Sequence, residues 1–209
     1  MYLPQPTGGD YELCPAGTYI GVAYRVLDLG TQRSVFDGHE KFSHKIMISW
    51  ELPEELMSDG RPFSVSKRYT WSMHEKSALR KDLEGWRGVK FTDRDFGPVT
   101  GFNIRNILGK ACLLTIAHTE NADRQYANVT AVSKLMKGMQ ASPAKNPLVY
   151  LWLVPEHWNT ETFNKLGQGL QGVIAKSPEF AQLSKDESDP NLAEPARDPN
   201  NDLDNFPPF

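Results

Sequence analysis

Cysteine and long apolar runs are both scarce in this chain. Only two of the 209 residues are cysteines, Cys14 and Cys112, and their wide separation fits neither a disulfide framework nor a metal-binding pair. No segment approaches the roughly 20 consecutive apolar residues that a membrane-spanning helix needs, and the first residues lack the basic and apolar regions of a signal peptide. We therefore expect a cytoplasmic protein with reduced thiols and no membrane contact.

Recognisable catalytic and cofactor-binding motifs are also missing. The chain has no phosphate-binding glycine loop, no nucleophile elbow and no paired-carboxylate motif. His39 and His44 lie near Asp37 and Glu40, but their spacing matches no standard metal site. We expect a non-enzymatic protein with no cofactor and no metal. A nuclease on a β scaffold stays open as an alternative, since catalytic groups can come from distant positions.

Basic residues are nearly absent from the last part of the chain. Residues 186–209 contain seven acidic residues and one basic residue, Arg197, which gives this tail a net charge of −6. Because the whole chain has a formal net charge of −3, the preceding body has a charge of +3. A mildly basic body with a disordered acidic tail is the arrangement expected of a nucleic-acid binder whose tail serves partner proteins.

The tail ends in the sequence DLDNFPPF. Its prolines exclude a helix or a paired strand, whereas a terminal carboxylate and an aromatic ring suit a basic-rimmed apolar pocket on another protein. The predicted docking residues are Asp202, Asp204, Phe206, Pro207, Pro208 and Phe209. This end resembles the C-terminal tip of bacterial single-stranded DNA-binding proteins, in which a short acidic run leads into a proline and a final phenylalanine.

The body has the period of β-strands. Apolar and polar residues alternate over residues 18–29, 45–52 and 63–73. A polar loop is predicted at 31–43 and a turn-bearing connection at 53–62. Three alternating segments separated by turns predict an antiparallel meander.

A helix and two further strands follow. Residues 74–88 place Ala78, Leu79, Leu83 and Trp86 at helical spacing, and Gly88 suits the helix end. A short helix is predicted at 103–108, then strands at 110–120 and 124–135. Three strands, a helix and a two-strand hairpin are the layout of an OB-fold, a five-stranded partly open barrel. An SH3-like barrel is the alternative, although its later connector is usually only a short turn.

The remaining chain predicts an extension of this mainly β domain. Residues 147–155 form a short apolar run, and the apolar residues between 163 and 174 have helical spacing. We expect a strand and a helix that pack on the barrel or form a subunit contact. The predicted organisation is an N-terminal arm (1–14), an OB-fold domain (15–138), a C-terminal strand and helix extension (139–185) and the disordered acidic tail (186–209).

Basic and aromatic residues are interleaved between residues 66 and 81. Single-stranded nucleic acid is bound by cations that follow the phosphates and by flat rings that stack on bases. The predicted DNA-binding residues are Arg25, Lys45, Lys67, Arg68, Tyr69, Trp71, Lys76, Arg80 and Tyr126. Trp50 and Trp86 are predicted core residues. For Tyr69, Trp71 and Tyr126 a place in the core is the alternative.

One part of the body resembles a known family. The runs KIMISWELPEEL, DGRPFSVSKRYTWSMHEKSALRKDLEGWRG, ILGKACLLTIAHTE and YANVTAVSKL are similar to phage-encoded OB-fold single-stranded DNA-binding proteins. The resemblance covers about residues 15–138 and is most specific at HEKSALRKDLEGWRG. It implies sequence-independent coating of single-stranded DNA during replication or recombination in a host cytoplasm.

The tail and the resemblance together imply two kinds of partner. The first is single-stranded DNA, and the second is replication or recombination proteins that the tail recruits. Self-association as a homo-oligomer is also possible for such a protein. The alternative function is an interaction protein that fills a pocket of a host replication or repair protein through its C-terminal tip.

Overall fold

A computed structural model of the chain describes residues 12–97, 101–121 and 124–186. The strands of these residues are β1 (Gly17–Phe36), β2 (His39–Leu56), β3 (Pro62–Thr70), β4 (Ala111–Asn121), β5 (Arg124–Ser133) and β6 (Val149–Leu151). The α-helices are α1 (Ala78–Arg87), α2 (Thr160–Asn164), α3 (Gln168–Ile174) and α4 (Pro178–Asp186). Short 3-10 turns occur at Asp93–Asp95, Ile104–Ile107 and Pro155–His157. The mainly β class and the helix between the third and fourth strands are confirmed.

The strands form one sheet in the order β3-β2-β1-β4-β5, and every pair on this path is antiparallel. The sixth strand, β6, pairs with β1 in parallel. In the described residues no hydrogen-bonded ladder joins β3 to β5, so the sheet is open in its pairing.

The hairpin of β1 and β2 is much longer than predicted. The sequence predicts a polar loop at 31–43, and this is wrong, because pairing continues from Val22–Glu51 out to Phe36–His39. Asp37 and Gly38 form the turn with φ values of 50° and 74°. Positive φ at both central residues is what a two-residue hairpin turn of type I′ requires.

The main core lies on the inner face of the sheet, which carries Ile46, Ile48 and Trp50. Helix α1 covers this core with Leu79, Leu83 and Trp86. Trp50 and Trp86 are 0% and 4% exposed, which confirms their predicted place in the core.

Both ends of α1 follow from its sequence. The Ser77 side chain accepts a hydrogen bond from the Arg80 backbone N–H at the start, and Gly88 ends the helix at φ 71°, as predicted. The close contact between α1 and β5 depends on Gly85, because a Cβ there would lie 2.4 Å from the Val132 carbonyl oxygen.

A second core lies on the outer face of β1 and β2. It joins side chains of these strands to β6 and the C-terminal helices through Leu27, Leu29, Met47, Leu151, Leu153, Leu166, Ile174 and Leu183. Helical structure in the region is confirmed, although 160–174 forms two short helices rather than one. The extension therefore packs on the sheet by covering part of its outer face.

Two buried carboxylates fasten the extension to the sheet. Glu51 accepts hydrogen bonds from the backbone N–H groups of Lys145 and Asn146 at 2.7 and 2.8 Å. Asp28 accepts from the Leu153 backbone N–H at 3.3 Å and from Gly30 at 2.8 Å. Burying a carboxylate is unfavourable unless it is hydrogen-bonded, so these contacts fix the path of the chain after residue 144.

The N-terminal arm is described only from Glu12 onward, and the acidic tail only at Asp186. The predicted docking residues Asp202, Asp204, Phe206, Pro207, Pro208 and Phe209 lie outside the described residues. A helix long and apolar enough to cross a membrane is not found in the described part of the chain.

Candidate nucleic-acid interface

Three of the predicted cations lie on the outer face of β1, β2 and β3. Arg25 is opposite Ser49, Arg68 is opposite Met47, and Lys45 is opposite Thr70. Because partners across an antiparallel pair share a face, all three cations project to the same side. We call this surface the basic strand face; it consists of Arg25, Lys45, Arg68, Ser49, Ser66 and Thr70.

Hydrogen bonds hold two of these cations along the strands. The Arg25 Nε donates to the Ser49 Oγ at 3.2 Å, and the Ser66 hydroxyl donates to the same oxygen at 2.8 Å. The Lys45 Nζ donates to the Thr70 Oγ1 at 2.7 Å. Arg68, which is exposed, lies on the outer side of β3.

The basic strand face is not a continuous groove. Leu27 and Met47 lie between Arg25 and Lys45 on the same face, and the second core buries both of them. The part of the face that the extension leaves accessible is therefore centred on β3. The sequences of β1, β2 and β3 do not indicate which part of the face is accessible, because the residues that cover the rest come from the region after 147.

Tyr69 is a core residue, and its predicted stacking on a base is wrong. The ring is 2% exposed, and its hydroxyl donates to the Asp82 Oδ2 at 2.8 Å. Burial, and then the adjacent Asp82 carboxylate, raise the pKa of Tyr69 far above its usual range. The phenol therefore remains a donor, and no face of the ring is open to a ligand.

Lys67 and Arg80 form contacts within the protein. The Lys67 Nζ lies 2.6 Å from the Asp82 Oδ2, on the inner side of β3. Arg80 bonds Glu84 at 2.8 Å and donates to the carbonyls of Met73 and Phe91, both at 3.1 Å. These bonds tie α1 to its flanking segments and to β3, and the predicted phosphate contacts of Lys67 and Arg80 stay predictions.

Trp71, Lys76 and Tyr126 remain accessible. Trp71 follows the last residue of β3 and is 39% exposed, so the alternative that it belongs to the core is wrong. Tyr126 in β5 is 46% exposed, and Lys76 lies exposed ahead of α1. Among the described residues, Trp71 alone of these three contacts other rings that continue its surface.

Those other rings come from β2, from β6 and from the residues that follow β6. Trp71 meets Trp152 edge-on at a centroid distance of 4.9 Å, and Trp152 lies parallel to Tyr150 at 5.7 Å and 9°. His44 stacks near Trp152 at 6.5 Å, and His157 meets Tyr150 at 5.4 Å. We call Trp71, Trp152, Tyr150, His44 and His157 the ring cluster.

Arg105 adds a cation to this cluster. It belongs to the 3-10 turn before β4, its side chain is exposed, and its guanidinium carbon lies 5.4 Å from the centroid of the Tyr150 ring. Burial raises the pKa of Tyr150 to about 12 although the charge of Arg105 opposes this rise. Tyr150 is therefore a neutral ring beside a cation at neutral pH.

Tyr150, Trp152 and Arg105 are not among the binding residues predicted from the sequence. The run from 147 to 155 predicts only an apolar strand, although its rings alternate with Leu151 and Leu153. That alternation is the sequence signal that could have indicated Tyr150 and Trp152, since it separates an aromatic face of the segment from an aliphatic one.

A small apolar pocket of about 180 Å³ opens beside Trp71. Its walls are Trp71, Met73, Leu83, Phe91, Asp95, Phe96, Gly97, Gly101, Phe102 and Ile104. The guanidinium of Arg87 lies 4.3 Å from the Phe91 ring centroid and donates to Asp95 at 2.8 Å. Phe96, 42% exposed, extends the accessible aromatic surface on this side of Trp71.

No group of three or more His, Cys, Asp or Glu side chains in the part of the chain that the structure covers could hold a metal ion. Both cysteines are buried, and burial raises the pKa of the Cys14 thiol to about 11.

Comparison with models of known protein families finds no match to this chain, and comparison with curated proteins finds none either.

Proposed function

We propose that this protein binds single-stranded DNA without sequence preference and protects it during phage DNA replication or recombination. The resemblance of residues 15–138 to phage single-stranded DNA-binding proteins supports this function. The combination of cations and accessible rings along β3 also supports it, because those are the two components of non-specific single-strand recognition.

We further propose that the sheet is an OB-fold barrel. Its strand order and the packing of β3 near β5 agree with the order of that fold. The ten-residue helix α1 between β3 and β4 favours an OB-fold over an SH3-like barrel, whose connector is shorter. In OB-folds the face of strands 2 and 3 binds oligonucleotides, and β3 here carries Arg68 and leads into Trp71.

The observation that carries the proposal is the position of Trp71. This exposed ring directly follows Thr70, which holds the Lys45 ammonium, and the Trp71 backbone N–H donates to the His44 carbonyl at 2.8 Å. A ring that can stack on a base and a cation that can meet a phosphate thus lie at the same end of β3.

Fluorescence anisotropy of labelled oligo(dT) and of duplex DNA of equal length, at two salt concentrations, tests the proposal. We expect binding to oligo(dT) that weakens as salt rises, because phosphate neutralisation releases counterions. Trp71→Ala should weaken it about 5- to 150-fold, the equivalent of the roughly 1–3 kcal/mol of one stacked base.

The matched control is Leu56→Ala. Leu56 is 52% exposed and pairs with Pro62 at the opposite end of β3 from Trp71. Its variant should bind as the unchanged protein does. If the unchanged protein ignores oligo(dT), the function is wrong; if the two variants bind equally, Trp71 is not in the interface.

A second function is proposed for the acidic tail. The sequence DLDNFPPF favours recruitment of replication or recombination proteins through an apolar pocket with a basic rim. A synthetic peptide of residues 186–209 that binds such a protein, beside a body that ignores DNA, would make the chain an interaction protein instead.

A further inference from the structure

We infer that the C-terminal extension completes the DNA-binding site: Tyr150 of β6 and Trp152 just after it provide a stacking surface for bases, and Arg105, from the turn before β4, binds the accompanying phosphate. This inference rests on the proposed single-stranded DNA binding. It gives a binding role to a segment outside the part of the chain that resembles phage DNA-binding proteins.

The ring of Tyr150 in β6 and the ring of Trp152 just after it are held in a fixed orientation. Tyr150 and Trp152 are partly buried against the main core, while Leu151 and Leu153 enter the second core on the opposite side of this segment. Tyr150 is also paired with Val26 of β1. The rings therefore stand parallel, 5.7 Å apart at 9°, and need little ordering when a base arrives, which favours affinity.

The rings at the C-terminal ends of β6 and β3 make one surface. Trp152 lies between Tyr150 and Trp71, with centroid distances of 5.7 and 4.9 Å to the two. A single strand of DNA whose bases reach Trp71 at the end of β3 therefore meets Trp152 and Tyr150 next. Stacking on such rings is tolerant of base identity because every base has a π-face.

Arg105 is the cation best placed for a phosphate at this surface. Arg80 and Arg87 are bound to Glu84 and Asp95, whereas Arg105 has no carboxylate partner among the described residues. Its exposed guanidinium lies 5.4 Å from the Tyr150 ring centroid. A cation beside a partly exposed ring can contact the phosphate and the base of one nucleotide.

A structural role alone would also explain why these rings touch. Under that reading, Tyr150 and Trp152 fasten the extension to the barrel, and their loss would change stability without changing DNA affinity. DNA-binding measurements on folded variants therefore distinguish the stacking role of these rings from a purely structural one.

The test measures oligo(dT) binding by full-length Tyr150→Leu, Trp152→Leu and Arg105→Ala proteins across a salt series. The leucines keep the apolar volume but remove the flat ring. Each ring variant should bind at least about fivefold more weakly, the lower end for one stacked base. Arg105→Ala should lower the steepness of log affinity against log salt by about 0.7, the value for one phosphate on a single strand.

Two control variants come from the same region. Leu148→Ala changes an exposed apolar residue just before β6, and Lys176→Ala removes one exposed cation after α3. Both should bind as the unchanged protein does, and melting temperatures identify variants that remain folded. If the ring substitutions prevent folding, Arg105→Ala still tests the phosphate contact, because Arg105 is exposed.

A loss beyond the controls in either kind of variant supports the inference for that side chain. If the unchanged protein binds oligo(dT) while every folded variant matches its control in affinity and salt dependence, this inference is overturned and the proposed function stands. If the unchanged protein does not bind oligo(dT), the proposed function itself fails and this inference with it.

Discussion

Asp82 of α1 holds two side chains of β3 at once. Its Oδ2 accepts from the Tyr69 hydroxyl at 2.8 Å and lies 2.6 Å from the Lys67 ammonium. The Lys67 ammonium also lies 5.3 Å from the Tyr69 ring centroid. A cation and a ring on one strand face, which suggest a nucleotide contact in the sequence, are thus used to attach a helix to the sheet.

Tyr69→Phe removes only the hydroxyl oxygen and so tests whether the bond from Tyr69 to Asp82 attaches α1 to the sheet. The variant keeps the ring but removes a hydrogen bond to a charged group, which should lower the free energy of unfolding by about 1–3 kcal/mol. Urea denaturation measures the loss, and oligo(dT) affinity should not change. Tyr126→Phe, altered at an exposed ring, should leave stability unchanged. Weaker DNA binding by Tyr69→Phe at unchanged stability would contradict the core assignment.

Helix α4 is attached to the β1–β2 hairpin by an acid and a histidine. Glu179 accepts from the Thr31 hydroxyl and backbone N–H at 2.6 and 2.8 Å, and its Oε1 lies 3.5 Å from the His44 Nδ1. On its other side, the His44 Nε2 lies 2.7 Å from the Asp28 Oδ1. The hydrogen bond with Asp28 raises the pKa of His44 against the opposing effect of burial, and Glu179 adds to the rise.

The attachment of α4 should therefore depend on pH. A histidine whose pKa is higher in the folded state stabilises the protein fully below its unfolded pKa, near 6.5, and this contribution is lost as pH rises through the folded pKa. In urea denaturation, the stability difference between the unchanged protein and His44→Gln should be largest at low pH and shrink as pH rises. His39→Gln, altered at the exposed hairpin end, is the control. A difference that is constant or grows with pH would exclude a charged His44.

The long β1–β2 hairpin and the pairing of β6 with β1 were not predicted from the sequence, for different reasons. The long β1–β2 hairpin has a local signal, because Asp37-Gly38 is a strong two-residue turn. The polar composition of the flanking residues concealed it, since both faces of this ribbon are largely exposed. The position of β6 has no local signal, because its pairing with β1 joins residues more than a hundred positions apart.

Strand period predicted which residues share a face but not which face is covered. The spacing of Lys67, Tyr69 and Trp71 places them on one face of the strand, yet Tyr69 is buried and Trp71 is exposed. The difference arises because Tyr69 faces α1, whereas Trp71 lies beyond the last paired residue of β3. Coverage of a face is decided by distant segments, so the ring cluster could not be assembled from the sequence.

At the scale of the whole molecule, opposite charges are separated along the chain. Residues 187–209 hold six acidic residues and one basic residue, so their removal changes the formal net charge from −3 to +2. The remaining body keeps the basic strand face, the ring cluster and Arg105. We expect the negative charge of the tail to oppose a polyanion that comes within a Debye length of it, about 10 Å at 0.1 M salt.

Deletion of residues 187–209 should therefore preserve or tighten oligo(dT) binding, and the gain should be larger at low salt than at high salt because screening removes the repulsion. Anisotropy titrations of the full-length and deleted proteins at a low and a high salt concentration measure this gain in affinity. The deletion begins after the last residue of α4, so melting temperature should change little. A matched full-length variant with the tail acids replaced by their amides separates charge from length. Weaker binding by the deleted protein would mean that the tail contributes to the DNA site, and equal gains at both salt concentrations would exclude charge as the cause.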